Sequence, residues 1–180
     1  MLVNTEQFWA LIDQARGQAS APSDSYEVAE QARALLAVRP REEIVAAQQI
    51  VCDLLADSYR GSLWAAAYLV NGGCSDDGFD YFRGWLVVQG REVFERITAA
   101  PDELAELSAT REATANGEEL ECEATLGIAS NAHLDATGEE IPADSFTVRY
   151  PSLDPEWEFD YEDAAEMRRR LPRLAASCLN

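Results

Sequence analysis

The chain contains no lysine: all 14 basic residues are arginine, set against 33 aspartates and glutamates, for a net charge of −19. An acidic excess of that size repels phosphate backbones and anionic lipid headgroups, which argues against direct binding of nucleic acid or a membrane surface. It leaves two readings, plain solubility or a basic protein partner. Histidine occurs once, at His133, and the four cysteines (Cys52, Cys74, Cys122 and Cys178) are scattered without a Cys-x-x-Cys pair. That set offers neither zinc-ligand spacing nor a disulfide framework, so free and mostly buried thiols are expected. No run of about 18 apolar residues occurs, so no membrane-spanning helix is expected. Met1 to Trp9 lacks a basic stretch followed by an apolar one, so the expectation is no signal peptide and a cytoplasmic protein. A Gly-x-Ser-x-Gly elbow is absent, and without lysine no phosphate-binding loop can be completed. Neither composition nor motif specifies an oligomeric state.

What is present is helical periodicity. With 47% hydrophobic and 26% charged residues, a 180-residue chain is an ordinary globular sequence that needs no staple. Asn4 and Gln7 form a capping box ahead of Phe8, Leu11, Ile12 and Ala15. Asp24 and Glu27 open a second helix carrying Val28, Ala32, Leu35 and Leu36, which Arg39-Pro40 ends. Pro40 opens a third, with Ile44, Ala47, Val51, Leu54 and Leu55 inward. Ser62 is the expected cap of a fourth, Leu63 to Val70, apolar almost all round and therefore the most buried. A fifth helix, capped by Asp76 or Asp77, carries Phe79, Phe82, Trp85 and Leu86, and Arg91 to Ile97 continues beyond Gly90. Arg111 to Gly117 reads as a loop and Glu118 to about Ala136 as a helix. Beyond Gly138 the pattern changes: Ser145 to Tyr150 alternates as an extended arm among prolines, and Asp160 is placed to cap a last helix, Tyr161 to Leu171. The expectation is an all-α fold of about seven helices, with residues 1–138 as helical core and 139–180 as an extended arm and final helix packed on the same domain. Trp9, Leu55, Trp64, Tyr68, Phe79, Phe82, Trp85 and Leu86 are the expected core.

One segment, Asn71 to Trp85, is dense in special residues. Phe8-Trp9, the run Leu63-Trp64-Ala65-Ala66-Ala67-Tyr68 leading into Asn71-Gly72-Gly73-Cys74-Ser75-Asp76-Asp77-Gly78-Phe79, and Phe82-Arg83-Gly84-Trp85-Leu86 running into Gln89-Gly90-Arg91 are the residues of interest. By these the chain resembles an uncharacterised, mainly bacterial family, domain of unknown function 4240, over roughly residues 4 to 135. The resemblance implies a shared fold and focal segment, and no activity.

Three readings of the segment stand side by side. In the structural one, Gly72 or Gly73 turns the chain at positive φ, Ser75 or an aspartate caps the next helix, and Arg83 pairs with an acid or bonds a loop carbonyl, with Asp76 and Asp77 within reach if it folds back along its helix. In the second, Asp76, Asp77 and Asp80, with Asn71, Ser75 and loop carbonyls, hold a hard cation such as magnesium, calcium or manganese. In the third, Cys74 is a nucleophile with His133 as its base, although the neighbouring aspartates oppose a thiolate. Candidate binding residues are therefore Asn71, Cys74, Ser75, Asp76, Asp77, Asp80 and Arg83. With no complete catalytic constellation, the expected function is an acidic helical binding or regulatory module for a basic protein partner, without a cofactor. The alternative is a metal-assisted hydrolase built on Asp76, Asp77 and Asp80.

Overall fold

The computed structural model describes residues 4–179. Among these the fold is all-helical, with ten α-helices, four short 3-10 turns and no strand. The capping box predicted at the start is formed: the Asn4 side chain accepts from the Gln7 N–H and the Gln7 side chain accepts from the Asn4 N–H. It opens α1 (Thr5–Gln18), whose Phe8, Ile12 and Ala15 are fully buried. Asp24 caps α2 (Ser25–Ala37) by accepting from the N–H groups of Tyr26 and Glu27. Glu27 does not complete a second box; its carboxylate takes the N–H groups of Ser20 and Ala21 and the Ser20 hydroxyl. Pro40 precedes α3 (Arg41–Asp57) as expected. The following helix, α4 (Gly61–Asn71), begins without a side-chain cap, so Ser62 does not serve as one. Leu63, Ala65, Ala66, Ala67, Leu69 and Val70 make α4 a buried strut, as its composition predicts.

Helix α5 (Asp76–Val88) follows a turn in which Gly72 and Gly73 take φ of 67° and 134°, conformations that a Cβ would strain. Its inward residues Phe79, Phe82 and Leu86 are fully buried, with Trp85 nearly so. Burial of each such side chain contributes roughly 1.5–3 kcal/mol. Of the remaining expected core, Trp9 is buried, whereas Leu55, Trp64 and Tyr68 are half-buried and pack against the core from its edge. Helix α6 (Arg91–Ala99) continues from Gly90.

Three segments beyond α6 depart from their sequence pattern. Arg111 to Gly117 is not a loop but most of α7 (Ser108–Asn116), a helix that buries only Thr110 and Ala113 and so carries no apolar stripe to betray it. Glu118 to Ala136 is not one helix. Residues 118–122 are non-helical, Glu123–Gly127 is a 3-10 turn, and α8 (Ile128–Thr137) follows. The reason is tertiary: the Asn71 carboxamide bonds both the N–H (2.9 Å) and the carbonyl (3.4 Å) of Leu120, and the Cys122 N–H donates to the Tyr81 carbonyl at 2.9 Å. Those bonds hold the chain extended against its helical pattern. Finally, the last helix is split. Asp163, not Asp160, caps α9 (Ala164–Arg170), and α10 (Pro172–Cys178) follows Leu171. Helix α10 packs against α9, α4 and the Pro101–Glu106 turn, so the C-terminal helices are built into the body. Helix α8 lies between α2 and α3, and α5 lies against the Glu123–Gly127 turn.

Candidate functional site

Aromatic side chains and one arginine define the floor of the site. Trp64 of α4 stacks on Phe79 of α5, with centroids 4.8 Å apart and planes within 12°. Tyr59, in the α3–α4 connection, closes the group at 6.0 Å from Trp64 and 5.9 Å from Phe79. The Arg83 guanidinium enters this cage, 4.7 Å from the Phe79 ring and 5.1 Å from the Tyr59 ring. It donates to the carbonyls of Phe79 and Leu55 and to the Asp80 carboxylate. Burial lowers its pKa and Asp80 pulls the other way, but a guanidinium stays ionised even so. The α-helical spacing explains the partner: Asp80 is three residues before Arg83 on one face. Arg83 pairs with an acid as expected, and that acid is Asp80 rather than Asp76 or Asp77.

Above this floor lies a cavity of about 510 Å³. One wall is α3, through Gln48, Cys52, Leu55 and Ala56; Asp76, Asp80 and Arg83 line it from α5. The roof is the C-terminal arm, through Phe146, Val148, Arg149, Tyr150 and Pro151. The arm continues into a second cleft shared with Tyr59 and Trp64 and bounded by Pro155, Trp157 and Tyr161.

The seven candidate residues divide accordingly. Asp76, Asp80 and Arg83 line the cavity. Asp76 is exposed and has no hydrogen-bond partner among the described residues, so its carboxylate is free to meet a ligand. Ser75 is the cap of α5, its hydroxyl accepting from the Gly78 N–H at 3.1 Å; neither Asp76 nor Asp77 takes that role. Asn71 is committed to Leu120, and Asp77 lies exposed on the side of Tyr81 and Glu123. No three Asp, Glu, His or Cys side chains among the described residues are grouped to hold a metal ion.

Cys74 is half-buried beside the cage, where its carbonyl accepts the Trp64 indole N–H at 3.1 Å. Burial, followed by Glu119, pushes its thiol up to about 12, with Asp76 and Asp80 adding to the effect and Arg83 opposing it. The thiol is therefore protonated at neutral pH and a poor nucleophile. His133 is fully buried, with Nδ1 2.7 Å from the Glu139 carbonyl. A carbonyl only accepts, so Nδ1 carries the proton, and no hydrogen bond links this ring to Cys74.

The family model described as a protein of unknown function, DUF4240, matches residues 3–135. The chain belongs to this family. No curated protein and no solved structure matches it. The matched span contains the cage, the cavity floor and the α3 wall, whereas the arm that roofs the cavity lies beyond it.

The α3 residues that hold this roof were not singled out in the sequence. Gln49, Asp53 and Asp57 stand at i, i+4 and i+8 on one face of α3. Gln49 donates to the Thr147 carbonyl at 3.0 Å and accepts the Thr147 N–H at 2.8 Å. Asp53 and Asp57 together hold Arg149, at 3.2 Å and 2.8 Å. Their spacing was a visible signal, as was the alternation from Ser145 to Tyr150; that the two meet was not.

Proposed function

We propose that this protein is an acidic helical binding module for a basic protein partner, with the cavity between α3, α5 and the arm as its contact site. The capture of the Arg149 guanidinium by Asp53 and Asp57 at the cavity rim carries this reading. It is a worked instance of the site taking a cation from an extended chain. The free Asp76 carboxylate offers a further contact to an arginine or lysine within the same cavity. A second face adds field. Burial raises the pKa of Glu121, and Glu119 and Glu123 raise it further, which marks a patch of like charges that a basic partner would relieve. Attraction of this kind steers association and weakens as salt screens it.

Calorimetric titration of the full chain with an oligo-arginine peptide tests the reading. Binding is expected at low ionic strength, weakening as salt is raised, and mostly lost in the Asp53→Asn/Asp57→Asn/Asp76→Asn variant. That variant removes three charges from a net −19, so attraction to net charge alone would barely change. Equal binding by the variant and the wild type would remove the cavity as the site.

A further inference from the structure

The arm contains no strand, yet it is read as a strand would be. Gln49 presents one donor and one acceptor to the N–H and carbonyl of a single residue, Thr147, which is the pairing a neighbouring strand would supply. It recognises backbone and is indifferent to side chain. The register then fits α3. Four residues of helix rise about 6 Å, and two residues of extended chain advance about 6.6 Å. One step along α3 from Gln49 therefore brings Asp53 to Arg149, and Asp57 closes on the same guanidinium. Phe146, Val148, Tyr150 and Pro151 line the cavity beside Arg149. Backbone recognition, a cation clamp and flanking apolar contacts are the parts of an extended-peptide site.

The occupant is lightly held. Val148 remains 45% exposed and Tyr150 89% exposed, and both ion pairs of Arg149 are open to solvent. Its downstream end is fastened differently. Trp157 packs so tightly on Gly61 that a Cβ there would lie 2.5 Å from the Trp157 Cβ. The Tyr161 hydroxyl donates to the Gly61 carbonyl at 3.1 Å, and the Arg170 guanidinium covers Trp157 and Phe159 at 5.1 and 4.7 Å. The chain is thus anchored at Trp157–Tyr161, downstream of the lightly held stretch.

We propose that Gln49, Asp53 and Asp57 form a reading track for an extended, arginine-bearing segment of the basic partner, and that Phe146–Pro151 occupies this track in cis as a displaceable strap. This deepens the binding reading above and rests on it. The strap makes the partner compete with an intramolecular copy of its own chemistry, which raises the affinity threshold and favours segments whose arginine falls two residues after the residue read by Gln49.

The probe is a fluorescently labelled peptide of residues 145–153, Ser-Phe-Thr-Val-Arg-Tyr-Pro-Ser-Leu, followed by polarisation against the full chain. An Arg149→Ala variant, with its strap loosened, should bind it at least tenfold more tightly than wild type. Thr147→Pro, which removes the N–H that Gln49 accepts, is the second strap variant and should behave alike; circular dichroism checks that both stay helical. Adding Asp53→Asn/Asp57→Asn to either variant should abolish binding, as should a scrambled peptide of the same composition. Equal affinity of wild type and both strap variants overturns the strap, and equal binding of the scrambled peptide overturns the register. If oligo-arginine binds at the cavity while this peptide binds neither strap variant, the track fails and the binding-module reading stands. If neither probe binds, both fail.

Discussion

Two extended segments of this all-helical chain are held by the same device, a carboxamide that bonds both backbone groups of one residue. Asn71 does this for Leu120, and Gln49 does it for Thr147. Their surroundings differ. Leu120 and Cys122 are buried, the Cys122 N–H is also bonded to Tyr81, and the segment is sealed against α5. Thr147 to Tyr150 are exposed, and among the described residues the only further polar hold on them is Arg149 on α3. In a partly buried setting a paired backbone group exchanges its partner for water less readily, so the Asn71 bond is architecture. In a wet one it does so freely, so the Gln49 bond is exchangeable. The comparison separates the rigid floor of the site, which lies within the family-matched residues, from a cover that a ligand can replace.

The largest effect is expected for Asn71→Ala. It leaves Leu120 with two unpaired backbone groups in a partly buried place, and a loss of about 2–3 kcal/mol in urea denaturation is expected. A change below about 0.5 kcal/mol would show that the two carboxamides are equivalent and that burial does not divide them.

The next effect is chemical. Folding raises the Cys74 thiol from its ordinary 9.0 to about 12. Between those values the native state keeps a proton that the unfolded chain has released, so Cys74 lowers stability as pH rises through that window and has no such effect below it. At pH 8 alkylation of Cys74 by iodoacetamide should be far slower in the folded protein than in urea, followed by mass spectrometry of the Cys74 peptide. Comparable rates would mean that the floor beside the cage is open.

The smallest effect on stability is expected for Gln49→Ala. Its bonds to Thr147 are solvent-exposed, so the melting temperature should not move measurably. Limited trypsin digestion should nevertheless cut after Arg149 several times faster than in wild type, before any cut in the helical body. A large fall in melting temperature would make the arm part of the core.

The same contrast explains what the sequence could disclose. The Asn4–Gln7 box, the Gly72-Gly73 turn and the apolar α4 are local patterns, and each is formed. Helix α7 escaped because it buries too little to show a period. Residues 118–122 misread as helix because their partners, Asn71 and Tyr81, lie some forty or more positions away. In the candidate segment, Asp76, Asp80 and Arg83 do reach the cavity, but Ser75 took the cap and Asp80 took the arginine, both decided by backbone geometry finer than residue type. The α3 track was invisible as a site because Gln49 and Thr147 are 98 residues apart. Its helical spacing means little until the arm is laid along it.

Hydrogen–deuterium exchange of the full chain, with and without a saturating excess of the 145–153 peptide, distinguishes an exchangeable arm from a fixed one. If the arm is an exchangeable occupant, the Thr147 amide, which donates to Gln49, exchanges faster with the peptide present, while the amides of α4 and α5 keep their protection. Unchanged exchange in the arm at saturating peptide, or protection gained only around Glu119–Glu123, would contradict it.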